Sequence, residues 1–204
     1  MGISERKERE KQEMRDLILN VATAMFIEEG YDKTSIRKIA DKIEYSPATI
    51  YLYFKDKDEI FHAIHDKGFD KFFALMETTR SIENPFDRLV RLSDLYIDFA
   101  YENPEYYDLM FIMMAPIEAL THNNEDWTCG FQAYDFLKAL IKECIEQGYM
   151  KEMDVEIAAL SIWSFKHGMT SLAIRNRFKM YSEAEVKKLM KESCDMMLDL
   201  FRKK

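Results

Sequence analysis

Between Ser46 and Lys57 the sequence gathers the hydroxyls of Ser46, Thr49, Tyr51 and Tyr53 and ends on an ammonium, Lys57. Hydroxyls and ammonium groups reach phosphate oxygens. Thr49 and the small or apolar Ala48 and Leu52 suit base edges and thymine methyls. The chemistry implied is recognition of duplex nucleic acid, with no bond made or broken. Two other groupings compete with it. Glu59-Ile-Phe-His62, with His65 three residues on, spells one Glu-x-x-His unit of a di-metal bundle. Such a centre needs a second unit on another helix and two further glutamates. Only one unit is present, so surface or packing histidines are the simpler reading. Trp163 with His167-Gly168 sets an imidazole beside a large ring, which suits a satisfied core histidine or a polar anchor for a ligand. There is no phosphate-binding glycine loop, Cys-x-x-Cys pair or nucleophile motif. The sequence therefore assigns no catalytic residue, no metal ligand and no cofactor.

The elements that must position these groups are helices. Ser46 is a good N-cap and Pro47 suits the first helical position. The helix they open is expected to run to about Lys55, because Asp56 reads as the next N-cap with Glu59 as its reciprocal partner. At roughly 100° per residue, Ile50 and Phe54 share the inner face. Ala48, Thr49 and Leu52 share the outer one, flanked by Tyr51 and Tyr53. Upstream, Thr34 reads as the cap of a helix with Ile36, Ile39, Ala40 and Ile43 on its apolar side. Glu44-Tyr45 joins the two. Two short helices across a tight turn form a helix-turn-helix, whose second helix enters the major groove.

The run Thr34-Ser-Ile-Arg-Lys-Ile-Ala-Asp-Lys-Ile, followed by Ser46-Pro-Ala-Thr-Ile-Tyr-Leu-Tyr-Phe-Lys-Asp-Lys-Asp-Glu-Ile60, resembles the DNA-binding domain of TetR (tetracycline-repressor) family regulators. Its Tyr-x-Tyr-Phe-x-x-Lys signature is specific, and it covers about the first quarter of the chain. The resemblance implies a DNA-binding domain over residues 1–57 and a helical ligand-binding and dimerisation domain over 58–204. It also implies a homodimer on a palindromic operator of double-stranded DNA, usually repression, and a small-molecule inducer. The DNA-contact candidates are Thr34, Ser35, Arg37 and Tyr45, then Ser46, Pro47, Ala48 and Thr49, then Tyr51, Leu52, Tyr53 and Lys57. Two positions depart from the family pattern. Glu44 stands at the usual turn glycine, and Ala48 where many members have glycine.

Composition sets bounds on this reading. With 204 residues, only 6 Gly and 4 Pro, long helices are favoured over many-turned strands. Net charge is −8, at first sight poor for DNA. Residues 1–57 balance 11 basic against 11 acidic side chains, so the whole excess of acid lies beyond them. A neutral head must bind through placed contacts more than through a basic field. Three cysteines give no even disulfide framework, and Cys129 and Cys144 lie too far apart along one helix to bridge. Reduced thiols, a charged N-terminus without a signal peptide, and a longest apolar run of Leu109 to Ile117 together predict a cytoplasmic protein without a membrane span.

Taken in order, the chain predicts an all-α fold of about nine helices: three in a small N-terminal helix-turn-helix head, one linking, five in a larger C-terminal bundle. Residues 3–13 read as a solvated extension of the first helix, with a minor-groove arm as the sharper alternative. Gly30 closes that helix. A long helix follows Lys57. Asn84-Pro85 and Asn103-Pro104 each read as a cap and first-turn proline, and Pro116 ends the second of these helices. Thr121 to Glu125 reads as a loop before a helix from about Asp126 to Gln147, closed by Gly148. Asp154 opens a helix to about Phe178, and Ser182 opens the last, to about Arg202.

The high aromatic and methionine content, 14 Phe, 11 Tyr, 2 Trp and 14 Met, suits a filled core or a pocket for an apolar or aromatic ligand. The ligand-contact candidates are Tyr96, Phe99, Tyr107, Phe111 and Met114, then Trp127, Phe131, Tyr134, Trp163 and His167. The Trp163…His167-Gly168 spacing also resembles a pattern in the C-terminal domain of one TetR subgroup. Ser161, Ser164, Gly168 and Ser171 recur at three- and four-residue steps and form a small-residue seam. With Leu189, Met197 and Leu200 of the last helix they are the dimer-interface candidates. Leu160, Trp163, His167, Thr170 and Ile174 make a second, bulkier stripe. Readings from other classes are a helical di-metal enzyme and a helical protein-binding adaptor.

Overall fold

The computed structural model describes residues 2–113 and 128–203. Met114, Pro116, Trp127 and the loop expected at Thr121 to Glu125 lie outside the described residues. Nine α-helices occur among those described: α1 (Ile3–Glu29), α2 (Ile36–Lys42), α3 (Pro47–Tyr51), α4 (Lys57–Glu77), α5 (Pro85–Glu102), α6 (Pro104–Phe111), α7 (Thr128–Glu146), α8 (Val155–Ile174) and α9 (Glu183–Phe201). A 3₁₀ turn, Thr78–Ser81, follows α4. The fold is all-α, as the scarcity of glycine and proline predicted. Among the described residues no helix is long and apolar enough to cross a membrane.

Two compact units divide the chain. The first takes residues 1–69 and 105–127, the second 70–104 and 128–204. The first unit thus runs past the boundary expected at Lys57. The reason is packing: Ile60, Phe61 and Ile64 of α4 are buried with Ile18, Ala22, Phe26, Ile39, Ile50 and Phe54, and Leu109 of α6 joins the same cluster. Within this unit α4 and α6 approach closely at Gly68, where an added Cβ would lie 2.7 Å from Met110 Sδ. The first turns of α1 are helical and solvated, as expected of a chain without an apolar stripe there.

In the second unit α5 packs on α7 and α8, and α8 on α7 and α9. Its core is built from Phe86, Leu89 and Phe99 of α5, Leu140 and Ile141 of α7, Ala159 and Ile162 of α8, and Met190 and Leu198 of α9. Local signals set most helix ends. Asn84 Oδ1 accepts the Phe86 and Asp87 amides. Asp154 Oδ1 accepts that of Ile157 at 2.9 Å. Ser182 forms a reciprocal box with Glu185. Three helices end in a left-handed residue that closes the same pair of backbone bonds. At the end of α7, Gly148 N–H bonds Ile145 O and Tyr149 N–H bonds Cys144 O. After α8, Asn176 bonds Ala173 and Arg177 bonds Leu172. After α2, Glu44 bonds Asp41 and Tyr45 bonds Ala40.

Four expectations need correction. Ser35, not Thr34, caps α2, accepting the Lys38 amide at 3.3 Å. The chain turns helical one residue later than the Thr34 reading required. α3 stops at Tyr51 instead of near Lys55, because the Tyr53 and Phe54 amides both turn back to Ile50 O. Asn103 does not cap α6: its amide nitrogen donates to Phe99 O and its oxygen accepts from Lys71. α8 ends at Ile174 instead of about Phe178, stopped by the left-handed Asn176.

Candidate nucleic-acid interface

α3 has five residues, too few for its own hydrogen bonds to hold it. Its N-terminus is tied by Ser46, whose Oγ accepts the Thr49 amide at 3.2 Å and lies 3.0 Å from Thr49 Oγ1. Its inner side is tied by Ile50 and Phe54, both fully buried. Beyond its C-terminus, Arg15 of α1 donates to the Tyr53 carbonyl at 2.8 Å, and its guanidinium sits 4.3 Å over the Phe54 ring. No sequence signal marked Arg15, since its partners are far along the chain.

Lys57 works from the other side. Its ammonium donates to Tyr31 O at 2.8 Å and lies 3.9 Å over the Tyr31 ring. Burial pushes its pKa below the usual lysine range, with Asp32 opposing. The Tyr31 hydroxyl in turn donates to the Asp58 carboxylate. An ammonium has three donors, so Lys57 as a phosphate contact would have to work from within this clamp. Asp56 caps α4 as expected, accepting the Glu59 amide at 2.8 Å, while Glu59 reaches back to the Lys55 amide.

The outer face left by these ties is uncharged and exposed. Leu52 is 78% exposed, and Ala48, Tyr45 and Tyr51 are exposed with it. Ser35, Arg37 and Ser46 are exposed, and Pro47, Thr49, Tyr53 and Lys57 half-buried. Thr34 does not join this face. It is 2% exposed, and its hydroxyl donates to Gly30 O at 2.9 Å and Met25 O at 3.3 Å, so it fastens the α1–α2 turn.

The ligand candidates separate between the units. Tyr107 and Phe111 lie in the first, their ring centroids 5.3 Å apart, with Phe111 5.7 Å from Phe69. In the second unit the rings form a string. Phe99 lies 5.2 Å from Phe72, and Phe72 5.8 Å from Tyr96. The Tyr96 hydroxyl is 3.0 Å from His167 Nδ1. Trp163 lies between His167 and Tyr134, and the Tyr134 hydroxyl donates to Glu156 at 2.9 Å. Burial first, then Glu156, pushes the Tyr134 pKa up to about 12. Burial lowers that of His167, with Arg175 adding to it. Phe131 of α7 is 54% exposed.

On α8, Ser161 and Ser164 are exposed, Gly168 and Ser171 half-buried, and nothing lies within 4 Å of a Cβ built on Gly168. Leu189 and Leu200 of α9 are exposed. Met197 is the exception among the seam candidates: it is 6% exposed, in register with Met190 and Cys194 on the buried face, while its neighbour Met196 is 62% exposed. The buried stripe of α8 also differs from both stripes read in the sequence. It is Ala158, Ala159, Ile162, Lys166 and Thr170. Leu160 points outward, and Lys166, which the sequence reading passed over, is inside. Its only signal was register, one turn from Ile162 and one from Thr170. Among the described residues no group of three or more His, Cys, Asp or Glu could hold a metal ion, and His65 is buried against the Phe69 ring.

Comparison with known proteins agrees with this geometry. Residues 18–64 match the model of bacterial regulatory proteins of the tetR family. Residues 89–200 match that of the tetracyclin repressor-like C-terminal domain. An uncharacterised HTH-type transcriptional regulator of Bacillus subtilis, YobS, is 23% identical over 163 residues, 80% of each chain. The HTH-type regulator AcrR of Shigella flexneri is 26% identical over 152 residues, covering 71% of this chain and 70% of that one. The fatty acid degradation regulator FadR of Bacillus halodurans has a similar fold, with a TM-score of 0.73, 18% identity, and coverage of 90% of this chain and 94% of that one. Since the C-terminal match alone spans more than half of the residues, the chain belongs to the TetR family of transcriptional regulators.

Proposed function

We propose that the protein is a repressor that binds a two-fold symmetric operator as a homodimer and is released by a small, largely apolar or aromatic molecule. The observation that carries the DNA part is the outer face of α3: Ala48, Thr49, Tyr51 and Leu52 turned outward without a charge, on a helix fastened from behind by Ile50, Phe54 and Arg15. A solvated helix has no use for an exposed Leu52. One helix-turn-helix offers few base contacts, so two half-sites read by a symmetric pair supply specificity.

The dimer reading is supported by the open space beside Gly168 and by Leu160, Ile157, Leu189, Met196 and Leu200, all exposed on α8 and α9. The ligand reading is supported by the aromatic string from Phe99 to Tyr134, which mixes large rings with the polar tips of Tyr96, His167 and Tyr134. α4 belongs to both units, which makes it the element through which ligand binding can bias the head. A tenfold loss of operator affinity needs about 1.4 kcal/mol of differential binding.

The test is selection of genomic DNA fragments on the purified protein, then footprinting of the retained sites. Two protected half-sites about one helical turn apart or a multiple of it are expected. Thr49→Ala should lose about 1–3 kcal/mol and relax discrimination at one base position in each half-site. Fragments retained without a common sequence would refute the reading.

A further inference from the structure

Lys166 is 4% exposed, and its ammonium has no hydrogen-bond acceptor among the described residues. Thr170, one helical turn further along α8, is fully buried, and its hydroxyl also lacks a partner among them. Residues four apart stand side by side on one helix face, so three ammonium donors and a hydroxyl share one interior position. The groups acting on the ammonium through space come from the two helices packed on that face. They are Asp94 of α5, and Lys191, Cys194 and Asp195 of α9. The carboxylates are already engaged, since Lys191 bridges Asp94 at 3.2 Å and lies 4.0 Å from Asp195. Burial pushes the Lys166 pKa down to about 8, which leaves the amine mostly protonated at neutral pH.

Leaving a charge buried without a counter-ion is costly. A buried donor without an acceptor adds to that cost. One carboxylate answers both, since its two oxygens can accept from the ammonium and the hydroxyl together. The two helices that bring these groups to α8 also bury apolar side chains, Leu92 and Leu95 on α5 and Met190 and Met197 on α9. A pocket of about 220 Å³ lies between α8 and α9, with Met169, Phe178, Tyr181 and Met190 among its walls. Neither Lys166 nor Thr170 is among those walls, but Met169 stands next to Thr170 and three residues from Lys166 along α8. That volume is below the range of drug-sized sites and suits a short aliphatic chain.

We infer that Lys166 and Thr170 are the head-group site for an organic anion, a single carboxylate carried on an apolar chain and bound inside the second unit. The inference rests on the reading of this unit as ligand-binding and names the charge that the ligand carries.

The test is calorimetry of the full-length protein without DNA, using decanoate and its uncharged counterpart decanol below their aggregation thresholds. Decanoate is expected to bind at least tenfold more tightly than decanol. Lys166→Met should lose at least tenfold in decanoate affinity while melting no lower than the parent, because it removes an unpaired buried charge. Thr170→Val, nearly isosteric, should lose several-fold, and it carries the test if Lys166→Met fails to give a native near-ultraviolet dichroism spectrum. Equal binding of decanoate and decanol, no binding of decanoate, or unchanged affinity in the variants would overturn the site. Footprinting of the same preparation keeps the two readings apart. Protein that protects its operator, and is released by an uncharged apolar compound while ignoring decanoate, loses the anion site and keeps the proposed function.

Discussion

Glu44 is the residue whose replacement is most informative about the reading head. It holds φ at 61°, between the two helices of the helix-turn-helix. The left-handed conformation costs an L-residue about 1–2 kcal/mol relative to glycine. Glycine gives back about 0.5–1 kcal/mol through the greater freedom of its unfolded chain. The Glu44 side chain is exposed, so its removal empties no core. Its negative charge also sits at the C-terminal end of α2, where the helix dipole disfavours it by a few tenths of a kcal/mol. Together these predict that Glu44→Gly stabilises the protein by about 1 kcal/mol. For a chain of this size that is roughly 2–4 °C in melting temperature.

Glu44→Gln separates backbone from charge. It keeps the strained residue and removes the carboxylate next to Tyr45 and Ser46, two of the proposed DNA contacts. Its stability should change by no more than a few tenths of a kcal/mol, while operator affinity rises and its dependence on salt steepens, because a repelling charge is gone. Thermal melts followed by circular dichroism read the first effect and fluorescence anisotropy across a salt series the second. Hydrogen exchange at the Tyr45 amide, which bonds Ala40 O at 2.9 Å, localises the gain to the turn. If Glu44→Gly melts at or below the parent, the left-handed assignment and the strain argument both fail.

Gly168→Trp should leave the monomer folded, since nothing lies within 4 Å of its Cβ position, and should break the proposed dimer. Sedimentation showing a dimer at low micromolar concentration would remove that seam from the interface. Lys57→Ala should cost about 1–2 kcal/mol of stability through the lost Tyr31 carbonyl bond and ring contact, and also flatten the salt slope of operator binding by about one. A stability loss with an unchanged salt slope would make Lys57 a clamp alone. Burial holds the His167 pKa below its ordinary 6.5, so the unfolded chain takes up a proton before the folded one as pH falls. The protein should therefore lose stability just below pH 6.5. His167→Gln should flatten that part of a melting-temperature profile, and an unchanged profile would place the titration elsewhere.

What the sequence made legible was local. Ser46, Asn84, Asp154 and Ser182 are caps whose partners lie within three residues, and each caps the helix assigned to it. Periodicity placed Ile50 and Phe54 inside and Leu52 outside because a short amphipathic pattern needs no distant information. It failed where two registers fit about equally well. On α9, Met196 and Met197 are neighbours of one chemistry, and only the packing of the other helices decides which is buried. On α8, a lysine among serines, glycine and aromatics reads as surface, yet one turn of register from Ile162 carries it into the interior. Asn103-Pro104 repeats the letters of Asn84-Pro85, but the Asn103 side chain is drawn to Phe99 O and Lys71 instead.

The reading face shows why local and distant information divide in this way. A helix of five residues has almost no hydrogen bonds of its own and cannot hold its orientation. Ser46 and Pro47 say where α3 begins, and their letters can be read directly. How the helix is held is decided by Arg15 on the Tyr53 carbonyl, 38 residues away, and by Lys57 on the Tyr31 carbonyl, 26 residues away. Both are cations bound to a backbone carbonyl and stacked on a ring. Neither gives a pattern that sequence spacing could reveal. If the outer face of α3 reads bases as proposed, an Arg15 variant should therefore weaken operator binding without Arg15 touching DNA, through loss of the geometry that holds that face.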